Sequence, residues 1–169
     1  MEEKNRKQFS VTEELLASHK ERFLNFFMDY IAQLLVFVIA FGIADSIAQN
    51  NNNKDFILNF MKNDIAKYTF TAAITLFYYN VFEIFTARTL GKLVTQTIVV
   101  DEYGEKPHHE TILIRTLCRL IPFEPFYFII LYFMDKPSRG WHDSLSKTYV
   151  VKKWELDEKK RLFYSLQNK

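Results

Sequence analysis

A long apolar stretch at residues 22–48 constrains this chain more than any other feature. Within it, residues 30–44 form a run of fifteen in which Gln33 is the only strongly polar side chain. A membrane-spanning helix needs about 20 mostly apolar residues, and the flanks extend the run to that length. The alternative is the buried central helix of a soluble all-α domain. The length of the stretch favours a membrane span.

Four polar residues at the start of this stretch fall on one helical face. Steps of three, four and four residues separate Arg22, Asn25, Asp29 and Gln33. Side chains at such steps lie above one another on a helix. Because an ionised side chain in lipid is costly, we expect this polar stripe to face inward, toward other helices.

The composition narrows the classes of function. The chain has 169 residues, which is room for one domain, and its net charge of +2 is too balanced for nucleic-acid binding. The single cysteine, Cys118, excludes an intramolecular disulfide and most cysteine-based metal sites. A charged fraction of 25% suits a soluble protein, whereas an aromatic fraction of 17% and a second apolar segment favour a membrane protein. Without a nucleophile-base pair, phosphate loop or metal-ligand spacing, we expect neither an enzyme nor a cofactor.

The second apolar segment, residues 65–87, predicts a second span with a polar face of its own. If the two spans are antiparallel, Glu83 and Asp29 lie at similar depth near the same membrane surface. The alternative for Glu83 is a carboxylate that reaches out to the membrane interface. The predicted polar face consists of Tyr79, Asn80, Glu83 and Thr86.

Polar segments flank the two predicted spans. Ser10 and Glu13 have the spacing of a capping box, which predicts a short helix beginning near Val11. The asparagine-rich run at residues 49–53 predicts a loop between the spans. The apolar side chains within residues 56–61 lie at helical spacing and predict a short surface helix.

A small β element is predicted outside the spans. Residues 93–100 are rich in β-branched side chains and predict a strand, which residues 101–104 end in a tight turn. Residues 149–151 predict a second short strand that pairs with residues 98–100. Residues 154–166 predict an amphipathic surface helix whose Lys and Arg side chains suit anionic lipid headgroups.

Residues 111–134 allow two interpretations. Their first half carries Arg115 and Arg119 on one helical face, and prolines at positions 122 and 125 then flank Glu124. The segment is either one kinked third span or two short helices that meet at the prolines as a hairpin.

The distribution of Lys and Arg favours the hairpin. Residues 1–22, 45–67, 87–110 and 135–169 contain five, three, three and nine of them. Short basic segments stay cytoplasmic, so both termini are expected inside and the number of full crossings is even. The predicted fold is an all-α membrane helical bundle with two long spans, a Pro-broken hairpin or third span, and a small cytoplasmic β-hairpin-like element. Its predicted divisions are a cytoplasmic tail or helix (1–21), a membrane domain (22–153) and a basic amphipathic tail (154–169).

Several motifs occur in an order and spacing that carry a family resemblance. Arg22 and Asp29 open the first predicted span, and Trp141-His142-Asp143 lies near the end of the chain. Between and after them come Arg88-Thr-Leu-Gly91-Lys92, Val99-Val100-Asp101 with Gly104, Arg115, and Thr148 with Val150-Val151. Over about residues 18–153 the chain resembles the RDD family of small integral membrane proteins, named for an Arg-Asp-Asp signature. The resemblance implies a multi-pass protein of the bacterial cytoplasmic (inner) membrane, and cation/proton antiport has been attributed to some members.

The charged residues near the membrane form the candidate site. Burying acids or bases alone is costly, so we expect them to pair. Arg22 and Asp29 are two turns apart, about 10 Å along the helix axis. Their partners are therefore expected on other elements, with Asp143 a candidate for Arg22. The predicted charge network consists of Arg22, Asp29, Asp143, Glu83, Arg115 and Arg119, with Asn25, Asn80 and Glu124 as secondary members; no catalytic or metal-binding residue is predicted.

Two functions are compatible with such a network. The first is a cation/proton-coupled transporter, in which a carboxylate exchanges a proton for a cation and the arginines set its pKa. Two to four helices do not easily enclose a pathway, so this protein would act as an oligomer. The alternative is a non-catalytic membrane subunit or scaffold that docks a partner through its cytoplasmic face, with a network that only fixes helix register. Expected partners are the lipid bilayer, further copies or other membrane subunits, and a cation in the first case, but no nucleic acid.

Overall fold

The computed structural model describes residues 8–53, 55–121 and 139–167. The described chain is mostly helical and contains one two-stranded sheet. The predicted hairpin or third span after residue 121, together with Glu124, lies outside the described residues. The elements are α1 (His19–Asn50), α2 (Phe56–Lys62), α3 (Asp64–Thr86), α4 (Leu90–Val94), β1 (Thr97–Val100), α5 (His109–Arg119), α6 (Trp141–Leu145), β2 (Tyr149–Lys152) and α7 (Lys153–Gln167).

The first helix, α1, is not preceded by the short helix that the sequence predicts. Its capping box is formed by Ser18 and Glu21: the Ser18 hydroxyl accepts from the Glu21 backbone N–H, and the Ser18 N–H donates to the Glu21 carboxylate at 2.7 Å. The predicted helix near Val11 is wrong, since only a single 3₁₀ turn, Glu13–Leu15, forms there. The reason is tertiary, because the chain on both sides of this turn is extended and packs against the sheet.

Helix α1 is long and apolar enough to cross a membrane. The helix has 32 residues, and only 6% of its most apolar window is buried within the protein. Among the described helices, α1 is the one with the length and apolarity to cross a membrane. The segment predicted as a second span, α3, contains Tyr, Thr and Asn side chains that lower its mean hydropathy. It is therefore less apolar than a membrane-spanning helix is expected to be. The second crossing stays a prediction.

The connection between α1 and α3 is shorter than predicted. Helix α1 continues to Asn50, so the asparagine-rich loop is reduced to the turn at residues 51–53. The predicted short helix is present as α2. Helix α3 then begins at Asp64 and is capped by Asn63, whose side chain accepts from the Ala66 N–H at 3.0 Å.

Side-chain contacts show that α1 and α3 are antiparallel. Gln33 of α1 accepts a hydrogen bond from Thr75 of α3 at 3.0 Å. Two turns further along α1, Phe41 meets Phe70, which lies earlier in α3, with ring centroids 6.3 Å apart. Positions that rise along α1 therefore meet positions that fall along α3, as antiparallel packing requires.

The predicted pairing of the two strands is confirmed. β1 and β2 are antiparallel, with Val99 opposite Val150 and Ile98 opposite Val151. The predicted strand over residues 93–100 is too long, because residues 90–94 form the helical turn α4. Thr89 caps this turn, and Gln96, with φ of 56°, breaks the helical path so that the strand starts at Thr97.

The sheet, the N-terminal segment and α7 share a small hydrophobic core. Leu16 forms a β-bridge with Val151, and the Ala17 N–H donates to the Val150 carbonyl at 2.9 Å. The start of α1 and the last strand are thereby joined on one side of the molecule. The buried apolar residues of this core are Phe9, Leu15, Val100, Val151 and Leu156.

Candidate functional site

The polar stripe of α1 faces the protein interior, as its spacing predicts. The buried residues of α1 are Arg22, Asn25 and Asp29, with 4%, 6% and 2% of their surface exposed. Gln33, the fourth member of the stripe, is half-buried between α1 and α3. The buried face of this apolar helix is therefore polar, and these side chains need partners from other elements.

Asp143, in the first turn of α6, holds two arginines from different helices. Arg22 Nη1 lies 2.5 Å from its Oδ2 atom, and Arg115 Nη2 lies 2.6 Å from its Oδ1 atom. The Gly140 N–H donates to Oδ2 at 3.0 Å, which fixes the carboxylate at the start of α6. Burial opposes ionisation of this carboxyl, but Arg115 and Arg22 hold the pKa of Asp143 well below its usual value. The structure thus joins Arg22 to the partner that the sequence suggests.

Glu83 of α3 forms the second anionic centre. It is fully buried, so it does not reach out to a membrane interface. Lys92 Nζ lies 2.8 Å and Arg119 Nη1 lies 3.3 Å from its Oε1 atom. Arg115 Nε lies 3.8 Å from Oε2, which is an ion-pair distance but too long for a hydrogen bond.

Arg115 of α5 connects the two anionic centres. Its Nη2 atom contacts Asp143 at 2.6 Å, while its Nε atom faces Glu83. One turn later, the Arg119 guanidinium lies 3.8 Å from the centroid of the Tyr79 ring. The network therefore ties α1, α3, α5 and α6 together through side chains that are almost completely buried.

Asp29 departs from the expectation that every acid pairs with a base. Its Oδ1 atom accepts from the Tyr78 hydroxyl and from the Gly91 N–H, each at 2.8 Å. Its Oδ2 atom accepts from the Thr89 hydroxyl at 2.7 Å. Within the described residues no basic side chain lies at ion-pair distance from it. Neutral donors on α3 and at the start of α4 therefore satisfy this carboxylate.

The close approach of α4 to α1 depends on a glycine. A Cβ atom on Gly91 would lie 2.4 Å from the Asn25 carbonyl oxygen and 2.9 Å from Asp29 Oδ1. No side chain fits in that space. Gly91 thus allows its own N–H to reach the Asp29 carboxylate directly.

The secondary members of the predicted site have different outcomes. Asn25 joins the interface between α1 and β1, where it donates to the Thr97 hydroxyl at 3.0 Å. Asn80 instead donates to the Leu76 carbonyl of its own helix at 2.8 Å. Thr86, predicted on the same face, is exposed. The polar face of α3 is therefore rotated from the prediction, and its buried polar residues are Tyr78, Tyr79 and Glu83.

Four residues of the site were not predicted as members. Lys92 binds Glu83, Thr89 and Tyr78 bind Asp29, and His142 Nε2 lies 3.1 Å from Asp143 Oδ1. Burial lowers the pKa of the Lys92 ammonium, and the neighbouring Glu83 raises it in part. The available signal was the motifs quoted above, since Thr89 and Lys92 lie in Arg88-Thr-Leu-Gly91-Lys92 and His142 lies in Trp141-His142-Asp143.

A small cavity lies at the centre of this charge network, with a volume of about 30 Å³. Such a volume is enough to hold at least one water molecule. Its walls come from α1, α3, α4, α5 and α6, with one residue from β2. The lining residues are Arg22, Asn25, Phe26, Asp29, Tyr79, Lys92, Arg115, Arg119, His142 and Val150.

A family model for the RDD family matches residues 16–147, which include the whole network just described. The chain belongs to the RDD family. Proteins with this domain are generally membrane-associated, in agreement with the exposed apolar length of α1. No curated protein and no solved structure matches the chain.

Proposed function

We propose that this RDD-family chain is a non-catalytic membrane subunit, in which the buried charge network locks a cytoplasmic cap onto the membrane helices. The observation that carries the proposal is that all three acids are buried and bound to neighbouring groups. Asp143 and Glu83 each contact two or more cationic side chains, and Asp29 accepts three hydrogen bonds. Carboxylates held in this way favour a fixed arrangement over exchange of bound ions.

The cap consists of the two-stranded sheet together with the N-terminal segment and α7, which share one small hydrophobic core. The β-bridge between Leu16 and Val151 brings the entry to α1 next to the last strand. Such a connection requires both chain ends on one side of a membrane, and their Lys and Arg content favours the cytoplasmic side. We therefore place the protein in the bacterial cytoplasmic (inner) membrane as a multi-pass protein, with α3 as a second crossing.

The surface that docks a partner is proposed on α7. Leu156 anchors this helix in the small core, whereas Trp154 and Leu166 are 58% and 71% exposed. An exposed aromatic residue beside basic side chains suits a protein partner or the headgroup layer. A photo-crosslinker at position 154 in native membranes is expected to give a defined protein adduct. Adducts with lipid alone would contradict partner docking.

Vesicle transport assays test the proposal against the transporter alternative. The purified chain, reconstituted alone, is expected to give no more Na⁺, K⁺ or proton flux than protein-free vesicles. Flux that disappears in Asp29→Asn would overturn the subunit proposal. Asp64→Asn is the matched control, because Asp64 is also an acid of a long helix, but its side chain is 93% exposed and forms an ion pair with Lys67.

The second candidate function, cation/proton-coupled transport by an oligomer, draws on one observation. Asp29 lies within the candidate membrane helix, borders the cavity and has only neutral hydrogen-bond donors as direct partners among the described residues. A carboxylate in such a position is the group that would take up a proton or a cation. If the protein is such a transporter, cation or proton flux requires the Asp29 carboxylate. Cross-linking should then show copies of the chain in contact.

A further inference from the structure

We infer that two short helices, α4 and α5, contact lipid acyl chains with their outer faces, so that the charge network lies below the membrane surface. This interface rests on the membrane placement in the proposed function, and it concerns helices too short to cross a bilayer. Helix α5 has 11 residues, which is about 16 Å at 1.5 Å per residue and about half of a hydrocarbon core. It therefore enters the bilayer without spanning it.

Both helices reverse the usual arrangement of a helix at a protein surface in water. Helix α4 buries Gly91 and Lys92, and α5 buries Ile112, Arg115 and Thr116. The side chains on their outer faces are large and aliphatic, and they are 41–61% exposed. These side chains are Leu90, Leu93 and Val94 of α4 and Leu113, Ile114 and Leu117 of α5. Charged side chains inside and aliphatic ones outside are typical of helices in a membrane.

Helix α7 provides a comparison within the same chain. It buries Leu156, and its outer face mixes apolar side chains with charged ones, which include residues 157–159 and Arg161. On α5, the exposed polar residues are confined to the start of the helix, at His109 and Glu110. The outer face of α5 thus changes from polar to apolar along its length, as expected of a helix that enters the bilayer from its surface.

The charge network lies at the same level as these outer faces. Asp143 binds Arg22 of α1 and Arg115 of α5, and Arg115 also faces Glu83 of α3. Each of the three helices exposes a large apolar side chain within two residues of its network member. These side chains are Phe23 (64%), Phe85 (76%) and Ile114 (50%). A single environment, lipid, accounts for all three exposures and for their continuity with the apolar surface of α1.

Helix α5 runs antiparallel to α3, toward the middle of that helix. One turn beyond Arg115, the Arg119 guanidinium lies 3.8 Å from the ring centroid of Tyr79, which is one turn before Glu83. The end of α3 joins the sheet of the cap. Residues that follow Arg115 on α5 therefore lie deeper in the proposed membrane than the network, with the charged face toward α3 and the aliphatic face toward lipid.

Fluorescence quenching tests what surrounds these faces. In a Cys118→Ser background, single cysteines at positions 94, 114 and 117 are labelled with bimane and reconstituted in phosphatidylethanolamine–phosphatidylglycerol vesicles. Lipids with brominated acyl chains should quench all three labels, and aqueous iodide should quench them much less than a label at position 162. Position 162 is the matched control, because Leu162 of α7 is also 55% exposed. Position 35 of α1 is the lipid reference.

The reference positions separate this inference from the proposed membrane placement. Strong iodide quenching at positions 114 and 117, with lipid quenching retained at position 35, would overturn lipid contact at α5 and leave the placement of α1 intact. Loss of lipid quenching at position 35 as well would overturn the membrane placement itself. Labels at 114 and 117 that neither quencher reaches would assign this face to a protein partner and overturn lipid contact.

A lysine substitution gives a second readout. Leu117→Lys places an ammonium group against lipid acyl chains, so the yield of folded protein in membranes should fall by a factor of at least about five. Leu117→Met keeps the face apolar and should retain the yield of the wild type. Leu162→Lys is the matched control on α7 and should also retain it. Equal yields of the two lysine variants would contradict lipid contact at α5.

Discussion

The two ends of α1 differ in their buried faces, although both expose apolar side chains, including Phe23 (64%) and Phe27 (47%) in the first turns. In its first three turns, Arg22 and Asp29 are buried and bound to other elements. Further along, Leu35 and Val38 are each 60% exposed, and Ile39 is 64% exposed. A helix in water would bury the second group and expose the first, because apolar burial stabilises and ion burial is costly.

The difference shows that two environments stabilise one helix. The first three turns are held by specific partners on α4, α6 and β1, so each polar side chain has a defined neighbour. The later turns have apolar side chains with few protein neighbours, and lipid is the environment in which such exposure is favourable. The first three turns of the helix therefore suit a protein environment, and its later turns suit a membrane.

The largest effect is expected from Asp143→Asn, which removes the carboxylate that binds Arg22 in the first turn of α1. This change leaves Arg22 and Arg115 without their shared carboxylate. Loss of one member of a buried ion network costs about 3–5 kcal/mol. The free energy of unfolding in detergent, measured with a denaturant, should fall by that amount. A decrease of less than about 1 kcal/mol would show that the network is not the attachment we describe.

Acid should weaken the same attachment without a mutation. Because the pKa of Asp143 in the folded protein lies below its unfolded value, its contribution to stability is complete above about pH 4. It is lost as the pH falls toward the folded pKa, since protonation then favours the unfolded chain. Tm measured from pH 6 to pH 3 should decrease, and the decrease should be smaller in Asp143→Asn. Parallel curves for the two proteins would contradict this assignment.

The exposed end is tested by Leu35→Lys. Leu35 is 60% exposed and lies near the middle of the apolar stretch. A lysine at the centre of a membrane helix costs about 2.5–3.5 kcal/mol of insertion free energy. The fraction of protein inserted into microsomes or bacterial membranes should fall accordingly. Asn50→Lys, at the end of α1, is the control and should insert normally; equal insertion of both variants would argue against a bilayer around Leu35.

Two glycines give a matched test of packing. Gly91→Ala places a Cβ atom against α1, and we expect a loss of about 1–3 kcal/mol in unfolding free energy. A Cβ atom on Gly42, in the exposed part of α1, meets nothing within 4 Å. Gly42→Ala should therefore be neutral or stabilise by up to about 1 kcal/mol. Equal changes in unfolding free energy for the two variants would show that the contact of α4 with the first turns of α1 is not tightly packed.

The smallest effect is expected from a surface ion pair. Lys159 Nζ lies 3.2 Å from Glu14 Oε2, but the two side chains are 52% and 77% exposed. Glu14→Gln should change the free energy of unfolding by less than about 0.5 kcal/mol. An effect as large as that of Asp143→Asn would mean that burial does not determine which charges hold the fold.

Local patterns predicted much of the fold, because they report which side chains share a face. The steps between Arg22, Asn25 and Asp29 identified a buried face, and the β-branched runs identified the paired strands. The pairing of Arg22 with Asp143 was predicted only as one candidate, because the two-turn separation of Arg22 from Asp29 excludes that acid without identifying another.

The sequence alone did not identify the hydrogen-bond partners of the other buried polar side chains. A helical stripe shows that Asp29 is buried, but not that Thr89, Tyr78 and the Gly91 N–H satisfy it, because tertiary approach determines those contacts. Similarly, Ser10 and Glu13 have the spacing of a capping box, yet packing of Leu15 against the sheet keeps that segment out of a helix.

Site-directed spin labelling along α1 tests the central claim most directly. In a Cys118→Ser background, nitroxide labels at positions 35, 38, 39 and 43 are reconstituted in bilayers, with position 158 of exposed α7 as the aqueous reference. If lipid surrounds the later turns of α1, these labels should collide frequently with oxygen and rarely with a water-soluble nickel chelate. Nickel accessibility at positions 35–43 equal to that at position 158 would contradict a membrane environment for α1.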